Sequence, residues 1–206
     1  DGGALGFCRQ SMSPETQKTP IGRQMSGEAA ETTRILTTNR LVLRRLGTHD
    51  AEFILDLLNQ PSFLRFIGDR GVRTLEQARQ FILEGPLASY ERFGFGLYLV
   101  ELGGAGTPLG MCGLLKREGL EDVDIGFAFL PQFWGRGYAF EAAAAVMEYG
   151  RHSLGLERIV AIASPDNERS FHLLRKLGLR YERLIRLAAD QPEIKLFTPD
   201  TAVRGQ

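Results

Sequence analysis

Gln132, Gly135 and Gly137 stand in the spacing Gln-x-x-Gly-x-Gly, inside the stretch Leu-Pro-Gln-Phe-Trp-Gly-Arg-Gly-Tyr-Ala of residues 130–139. Glycines so placed let the backbone take φ > 0 and come close to a ligand. A strand-like run over Val123–Leu130 enters this stretch and stops at Pro131. An alanine-rich helical run over Tyr138–His152 leaves it. Strand, glycine loop and helix start together present unbonded backbone N–H groups at the positive end of a helix dipole. That arrangement binds phosphate without a charged side chain, so the spacing predicts a phosphate-bearing cofactor here.

Three kinds of phosphate loop compete. A P-loop requires Gly-x-x-x-x-Gly-Lys-Ser/Thr, and no such string occurs in the chain. The dinucleotide fingerprint Gly-x-Gly-x-x-Gly accepts Gly135 and Gly137, but its third glycine falls on Phe140, a ring where helix and strand must pack closely. Glu157 lies about 20 residues on, where an acid for a ribose would stand, so a nucleotide-dependent oxidoreductase stays in play. The third kind, Gln/Arg-x-x-Gly-x-Gly/Ala, is matched at Gln132, Gly135 and Gly137. A pattern this short also fits an ordinary glycine turn.

Further segments add to the loop. They are Thr-Asn-Arg-Leu-Val-Leu-Arg-Arg-Leu at Thr38–Leu46, Asp-Ile-Gly-Phe at Asp124–Phe127, and Asn-Glu-Arg-Ser at Asn167–Ser170 followed by Lys176-Leu177-Gly178. In this order, with the loop, they resemble the GNAT superfamily of N-acetyltransferases, in the branch related to the ribosomal-protein N-terminal acetyltransferases. The resemblance runs from about Thr38 to about Phe197. It implies an α/β fold (α+β, mixed sheet): a mostly antiparallel seven-stranded sheet with a splay between its fourth and fifth strands and helices on both faces. It implies acetyl-CoA as co-substrate, gripped at the diphosphate by Gln132, Trp134, Gly135, Arg136, Gly137, Tyr138 and Ala139. The pantetheine arm would lie along the backbone of Phe127, Ala128, Phe129 and Leu130 as an added strand, and a backbone N–H of that segment would stabilise the acyl oxygen. Asn167 and Ser170 would meet the same arm, while the side chains of Phe127 and Phe129 read as core.

Acetyl transfer to an amine needs the amine neutral, and α-amino and lysine groups titrate near pH 8 and about 10.4, so a base or a water chain helps. Asp124 and Glu101 are the candidate bases; each also reads as a solvated carboxylate at a strand end. Ser170 is the candidate acid for the departing thiolate, because the late-helix position where relatives often carry tyrosine is Leu174 here. That replacement also admits a non-catalytic acyl-CoA-binding regulatory module. Asn167 reads equally as a helix cap, and His172 as a solvated histidine. In the family the region of Arg65–Arg70 covers the acceptor; there Asp69 can hold an ammonium, and Arg70 or Arg73 a carboxylate. The expected acceptor is a primary amine, either a protein N-terminus or a small amine or amino acid.

The elements that must position these residues follow from periodicity and turn chemistry. Strands are predicted at 40–46, 95–102, 109–116, 123–130, 158–163, 179–187 and 193–198. Helices are predicted at 50–59, ended by Pro61, at 74 to about 83 with a capping box from Thr74 and Gln77, at 138–152, and from Asp166 or Asn167 to Leu177, closed by Gly178. Hairpins at both ends argue against strict βαβ alternation and so against a doubly wound nucleotide fold. Residues 1–34 read as a flexible tail, 35–199 as the acetyltransferase domain and 200–206 as a short C-terminal tail. A formal net charge of +0 gives no bulk attraction to nucleic acid or to an anionic membrane. No apolar run approaches the roughly 20 residues of a membrane span, so a cytoplasmic monomer or homodimer is expected. Cys8 and Cys112 make no disulfide framework, and Cys112 reads as a small buried apolar residue. His49, His152 and His172 do not cluster, and no metal site is expected.

Overall fold

The computed structural model describes residues 33–200. The tail expected over 1–34 lies outside the described residues up to residue 32, as do Cys8 and residues 201–206 of the C-terminal tail. The first strand, β1 (Arg34–Thr37), pairs antiparallel with β2 (Leu41–Arg45). β3 (Leu97–Leu102), β4 (Thr107–Leu115) and β5 (Val123–Phe129) continue the antiparallel run. β6 (Ile159–Ala163), β7 (Leu179–Ile185) and β8 (Ile194–Pro199) complete one eight-stranded sheet in the order β1-β2-β3-β4-β5-β6-β8-β7. The count exceeds the expected seven by β1, whose four residues are too few to show an alternating pattern.

Two helical layers sandwich this sheet. On one face α1 (Ala51–Leu58) buries Ala51, Ile54, Leu57 and Leu58, one stripe of a 3.6-residue period. α2 (Pro61–Phe66) and α3 (Leu75–Ile82) pack beside it, joining Phe63, Val72, Ala78 and Ile82 to Leu99, Met111, Ala128 and Leu130 of the sheet. On the other face α5 (Tyr138–His152) and α6 (Glu168–Lys176) pack on β4, β5 and β6 through Ala142, Ala143, Val146, Met147, Phe171 and Leu174, with α4 (Ala88–Phe93) adding Tyr90. A fully buried side chain of leucine or phenylalanine size stabilises by roughly 1.5–3 kcal/mol, so the two layers fix the sheet from both sides.

Local signals set most of the boundaries. Thr74 Oγ1 accepts from the Gln77 N–H at 3.2 Å and Gln77 Oε1 accepts from the Thr74 N–H at 3.1 Å, a reciprocal capping box. Pro61 ends α1 as expected, yet it also opens α2 at the first helical position, where its missing N–H costs nothing. The helix expected to stop near Leu83 goes on through a π turn over Leu83–Leu87 into α4. Pro86 has no N–H for the α-helical ladder, and the wider turn absorbs the gap.

The one parallel neighbour pair, β5 and β6, holds the opening on which the site depends. Their register is Val123↔Ile159 and Asp124↔Val160 and goes no further. Beyond Asp124 the two strands part, and residues 125–129 of β5 keep a partner only on the β4 side.

Candidate active site

Alternation along β5 decides which backbone groups face the opening. The Leu130 N–H donates to the Leu109 carbonyl of β4 at 3.0 Å. In an antiparallel ladder successive residues turn their N–H and C=O groups to opposite edges. The backbones of Ala128 and Gly126 therefore face β4 like Leu130, while those of Phe127 and Phe129 face the gap toward β6. Of the four residues expected to line the pantetheine arm, only Phe127 and Phe129 turn polar backbone into the cleft. Ala128 and Leu130 instead pack side chains into the core beneath α1–α3. The rings of Phe127 and Phe129 pack against the α5–α6 core.

The Phe129 carbonyl is not open. Trp134 Nε1 donates to it at 2.8 Å, and the Arg169 guanidinium of α6 lies over the Trp134 ring at 4.9 Å from its centroid. One indole thus ties together the end of β5, the glycine loop and the first turn of α6. The groups left for an extended ligand are the Phe127 N–H, the Phe127 carbonyl and the Phe129 N–H.

The glycine loop leads from there into α5. Pro131–Phe133 form a single 3-10 turn, and Gly135 and Gly137 take φ of 74° and 82°. Gly137 is the N-cap of α5 and supplies no side-chain cap, so the N–H groups of the first turn stay available for an external acceptor. Gln132, Gly135, Arg136 and Gly137 are exposed, and Trp134, Tyr138 and Ala139 half-buried. The loop expected to hold a diphosphate thus has the geometry for it: uncapped N–H groups, left-handed glycines and a helix of 15 residues behind them.

The β1–β2 turn braces this loop, a contact that local sequence did not reveal. Glu141, in the first turn of α5, accepts from Thr38 Oγ1 at 2.6 Å, from the Arg40 N–H at 3.0 Å and from Arg40 Nε at 2.7 Å. Arg40 also donates to the Arg136 carbonyl at 3.0 Å and lies over the Tyr138 ring. Burial works to raise the Glu141 carboxyl, but the hydrogen bonds from Thr38 and Arg40 and the charge of Arg40 outweigh it and hold the group below its ordinary value. A carboxylate here would repel an anion at the same helix end, and Arg40 cancels that charge. Arg40→Ala is expected to weaken acetyl-CoA binding about tenfold, the size of one lost charge-assisted hydrogen bond. In a Glu141→Gln background the same change is expected to cost little. Calorimetric titration of the four chains checks this, and an equal loss in both backgrounds would remove the masking role.

The other candidates fall in different places. Asn167 caps α6, its Oδ1 accepting from the Ser170 N–H at 3.2 Å, which sets Ser170 on the first turn of that helix. Leu174, one turn on, is buried core, and His172 is exposed. Glu101 lies on β3, two strands from β5, bound to Arg44 at 2.9 Å, and Arg44 also binds Asp50. The structure does not bring Glu101 to the cleft. Asp69 accepts from the Gly71 N–H and from Arg73, so it has no lone carboxylate to offer an ammonium. Cys112 is fully buried, and burial pushes its thiol up, away from a reactive thiolate.

Asp124 is not the solvated carboxylate of the sequence reading. It is 1% exposed; its Oδ1 accepts from Arg117 Nε at 2.9 Å and its Oδ2 has no protein partner. Burial raises its carboxyl above the ordinary value, and the charge and hydrogen bond of Arg117 only partly offset that. Arg117 is the functional candidate missed in the sequence, because nothing near it in the chain marks a partner seven residues on. Among the described residues no group of three or more His, Cys, Asp and Glu is placed to hold a metal, and no helix is long and apolar enough to cross a membrane.

Known proteins resemble this chain in sequence and in fold. The family model described as acetyltransferase (GNAT) domain matches residues 40–180. An uncharacterized N-acetyltransferase of Bacillus subtilis (strain 168), YnaD, is 31% identical over 147 residues, spanning 71% of this chain and 83% of that protein. The crystal structure of an acetyltransferase from Agrobacterium tumefaciens superposes with a TM-score of 0.68 at 25% identity, covering 87% of this chain and 99% of that one. The fold is also that of RimL, titled a ribosomal L7/L12 alpha-N-protein acetyltransferase, with a TM-score of 0.69 at 16% identity over 84% of this chain and 97% of that one.

Proposed function

We propose, from the premise that this chain belongs to the GNAT acetyltransferase family and is an N-acetyltransferase, that it moves an acetyl group from acetyl-CoA directly to a primary amine in a ternary complex. The observation that carries this reading is the parting of β5 from β6 after Asp124, which leaves the Phe127 N–H open beside an uncapped helix N-terminus. Acetyl-CoA supplies an acyl group already activated as a thioester, so no covalent enzyme nucleophile is needed.

The residues divide the work. Gly135, Gly137 and the first turn of α5 hold the diphosphate through backbone N–H groups. The Phe127 carbonyl and Phe129 N–H align the pantetheine arm, and the Phe127 N–H meets the acyl oxygen, where negative charge develops as the amine attacks. The amine lone pair forms the new C–N bond, the C–S bond breaks and the thiolate leaves. Ser170, on the first turn of α6, gives that sulfur a proton. The proton lost by the amine passes to Asp124 or, through water, to solvent; the raised value of Asp124 suits an acceptor of protons nearer neutrality than an ordinary carboxylate.

The test begins with binding. The chain has one tryptophan, Trp134, in the loop itself, so its fluorescence reports occupancy of the cleft alongside calorimetry. Acetyl-CoA is expected to bind at micromolar strength and to change that fluorescence, with NADH and ATP inert. A folded chain that binds NADH in preference would end the acetyltransferase reading of the loop. Ser170→Ala is expected to lower kcat about 10²-fold, the low end of general-acid contributions, with acetyl-CoA affinity nearly unchanged. An unchanged kcat on a detected acceptor would remove Ser170 from the reaction.

A further inference from the structure

Strand pairing does not reach the start of α6. β5 and β6 part after Asp124, and α6 follows β6, so the turn that opens α6 belongs to the β6 side of the gap. Phe171 and Leu174 bury the body of the helix in the core it shares with α5. The turn ahead of them lies outside that core: Pro165, Asp166, Glu168 and Arg169 are exposed. This turn carries Asn167 and Ser170. Its fine placement against β5 depends on side chains that meet it from beyond the gap.

Two arginine contacts do so. Arg169 lies over Trp134, whose indole binds the Phe129 carbonyl at the end of β5. Arg65 meets the same turn from the other helical layer. It projects from α2, which Phe63 anchors on the opposite face of the sheet. Its Nη2 and Nε donate to Asp166 Oδ2 at 3.0 and 3.3 Å, across 101 residues of chain. The guanidinium also lies over the Phe66 ring, 4.8 Å from the centroid. Arg70, in the loop after α2, is exposed and takes no part in this contact.

From Asp166 the hydrogen bonds run on to Ser170. Asp166 Oδ1 accepts from Ser164 Oγ at 2.7 Å, the Asn167 N–H donates to the Ser164 carbonyl at 3.0 Å, and Asn167 Oδ1 accepts from the Ser170 N–H at 3.2 Å. The Ser164 hydroxyl first and Arg65 second hold the Asp166 carboxyl below its ordinary value, so the pair is charged at neutral pH. One carboxylate thus fastens the turn to the end of β6 through one oxygen and to α2 through the other. With side chains 66% and 53% exposed, the ion pair adds little to stability. Position is a different matter, because a displacement of about 1 Å at a reacting group can cost on the order of 10²-fold in rate.

We propose that Arg65 and Asp166 are positioning residues for acetyl transfer: their ion pair ties the turn before α6 to α2 and, through Asn167, aims Ser170. The inference rests on the acetyl-transfer reading with Ser170 as the acid, and names the residues that set its geometry. Both act through Ser170 and not on the reacting atoms.

The test follows release of the CoA thiol by the full chain at saturating acetyl-CoA. The acceptor is whichever gives the fastest release among free amino acids, spermidine and short peptides with a free N-terminus. Arg65→Ala and Asp166→Asn are each expected to lower kcat about tenfold, with the acceptor KM, the acetyl-CoA Kd and Tm nearly unchanged. Asparagine keeps an oxygen for Ser164, so only the tie to α2 is lost. The double variant is expected to be no slower than either single one, and Arg65→Lys, which keeps the charge, to recover most of the rate. Raising NaCl from about 0.05 to about 0.5 M should slow the parent toward the variants and leave Asp166→Asn level, as screening of an exposed pair requires. In a Ser170→Ala background neither change should lower kcat further. A kcat equal to the parent's in both single variants, or a further loss of the same size in the Ser170→Ala background, overturns the positioning role and leaves the transfer reading standing. Ser170→Ala with the parent's kcat removes the acid and this proposal with it. No thiol release with any amine, from a chain that binds acetyl-CoA, is failure of the transfer reading itself and overturns both.

Discussion

With valine at both Gly135 and Gly137 the chain is expected to stay folded and lose acetyl-CoA, its Kd rising by at least about 100-fold, or roughly 2.7 kcal/mol. Both glycines sit at positive φ, 74° and 82°, where a β-branched residue is a steric outlier costing on the order of 1–3 kcal/mol. A Cβ on Gly137 would in addition stand 3.3 Å from an Arg40 nitrogen, disturbing the brace on Glu141. The loop is exposed and can relieve this strain by moving, but moving takes its N–H groups off the ligand. Binding therefore falls further than stability does. Gly155→Val is the matched control: Gly155 has the same backbone sign, φ 66°, with nothing within 4 Å of its Cβ, and it follows the far end of α5. Its acetyl-CoA affinity is expected to equal that of the parent. Micromolar binding surviving in the double variant would return the loop to the status of a turn.

Arg117→Leu is expected to be the most destabilising single change near the site, by about 3–5 kcal/mol at neutral pH and so by roughly 6–20 °C in Tm. Asp124 is 1% exposed and Arg117 is its one side-chain partner among the described residues, so the substitution strands a buried carboxylate. The deficit has a definite pH dependence. Burial already holds the folded carboxyl above its ordinary value, and without Arg117 only a backbone hydrogen bond works against that. When the folded value is raised, the unfolded chain gives up its proton first as pH rises. Stability then falls from about pH 3.9, the unfolded value, through the raised folded value, and levels above it. Compared with the parent, the variant should recover as pH is lowered from 7.5 toward 5. Adding Asp124→Asn should restore part of the loss at pH 7.5. A deficit equal at both pH values, unmoved by the second substitution, would mean that packing of the Arg117 stem, and not the stranded charge, was lost.

The sequence disclosed what short spacings encode. Tyr138–His152 is a helix at both expected ends, Thr74 and Gln77 make their box, and Asn167 caps α6. Each depends on neighbours within a turn or two. What stayed hidden depends on partners far along the chain. Thr38 and Arg40 lie in a recognisable motif, but their partner Glu141 is about a hundred residues away. Glu101 was a plausible base until Arg44 of the adjoining strand claimed it. Asp124 read as solvated because a carboxylate near a strand end usually is; it is 1% exposed and bound to Arg117 instead. Proline was the other source of difference. At Pro61 it stops one helix and starts the next, and at Pro86 it widens a helix without ending it.

The brace on Glu141 bears on how far this domain can be trimmed. The family match starts at residue 40, and a boundary drawn there would look safe on similarity alone. It would discard β1, which lies at the margin of the sheet, and with it Thr38, whose hydroxyl binds the carboxylate in the first turn of α5. The Arg45 N–H also donates to the Thr33 carbonyl at 3.0 Å. The portable unit therefore begins at or before Thr33, and a fusion or graft that starts later would unsettle a ligand loop about a hundred residues downstream of the cut.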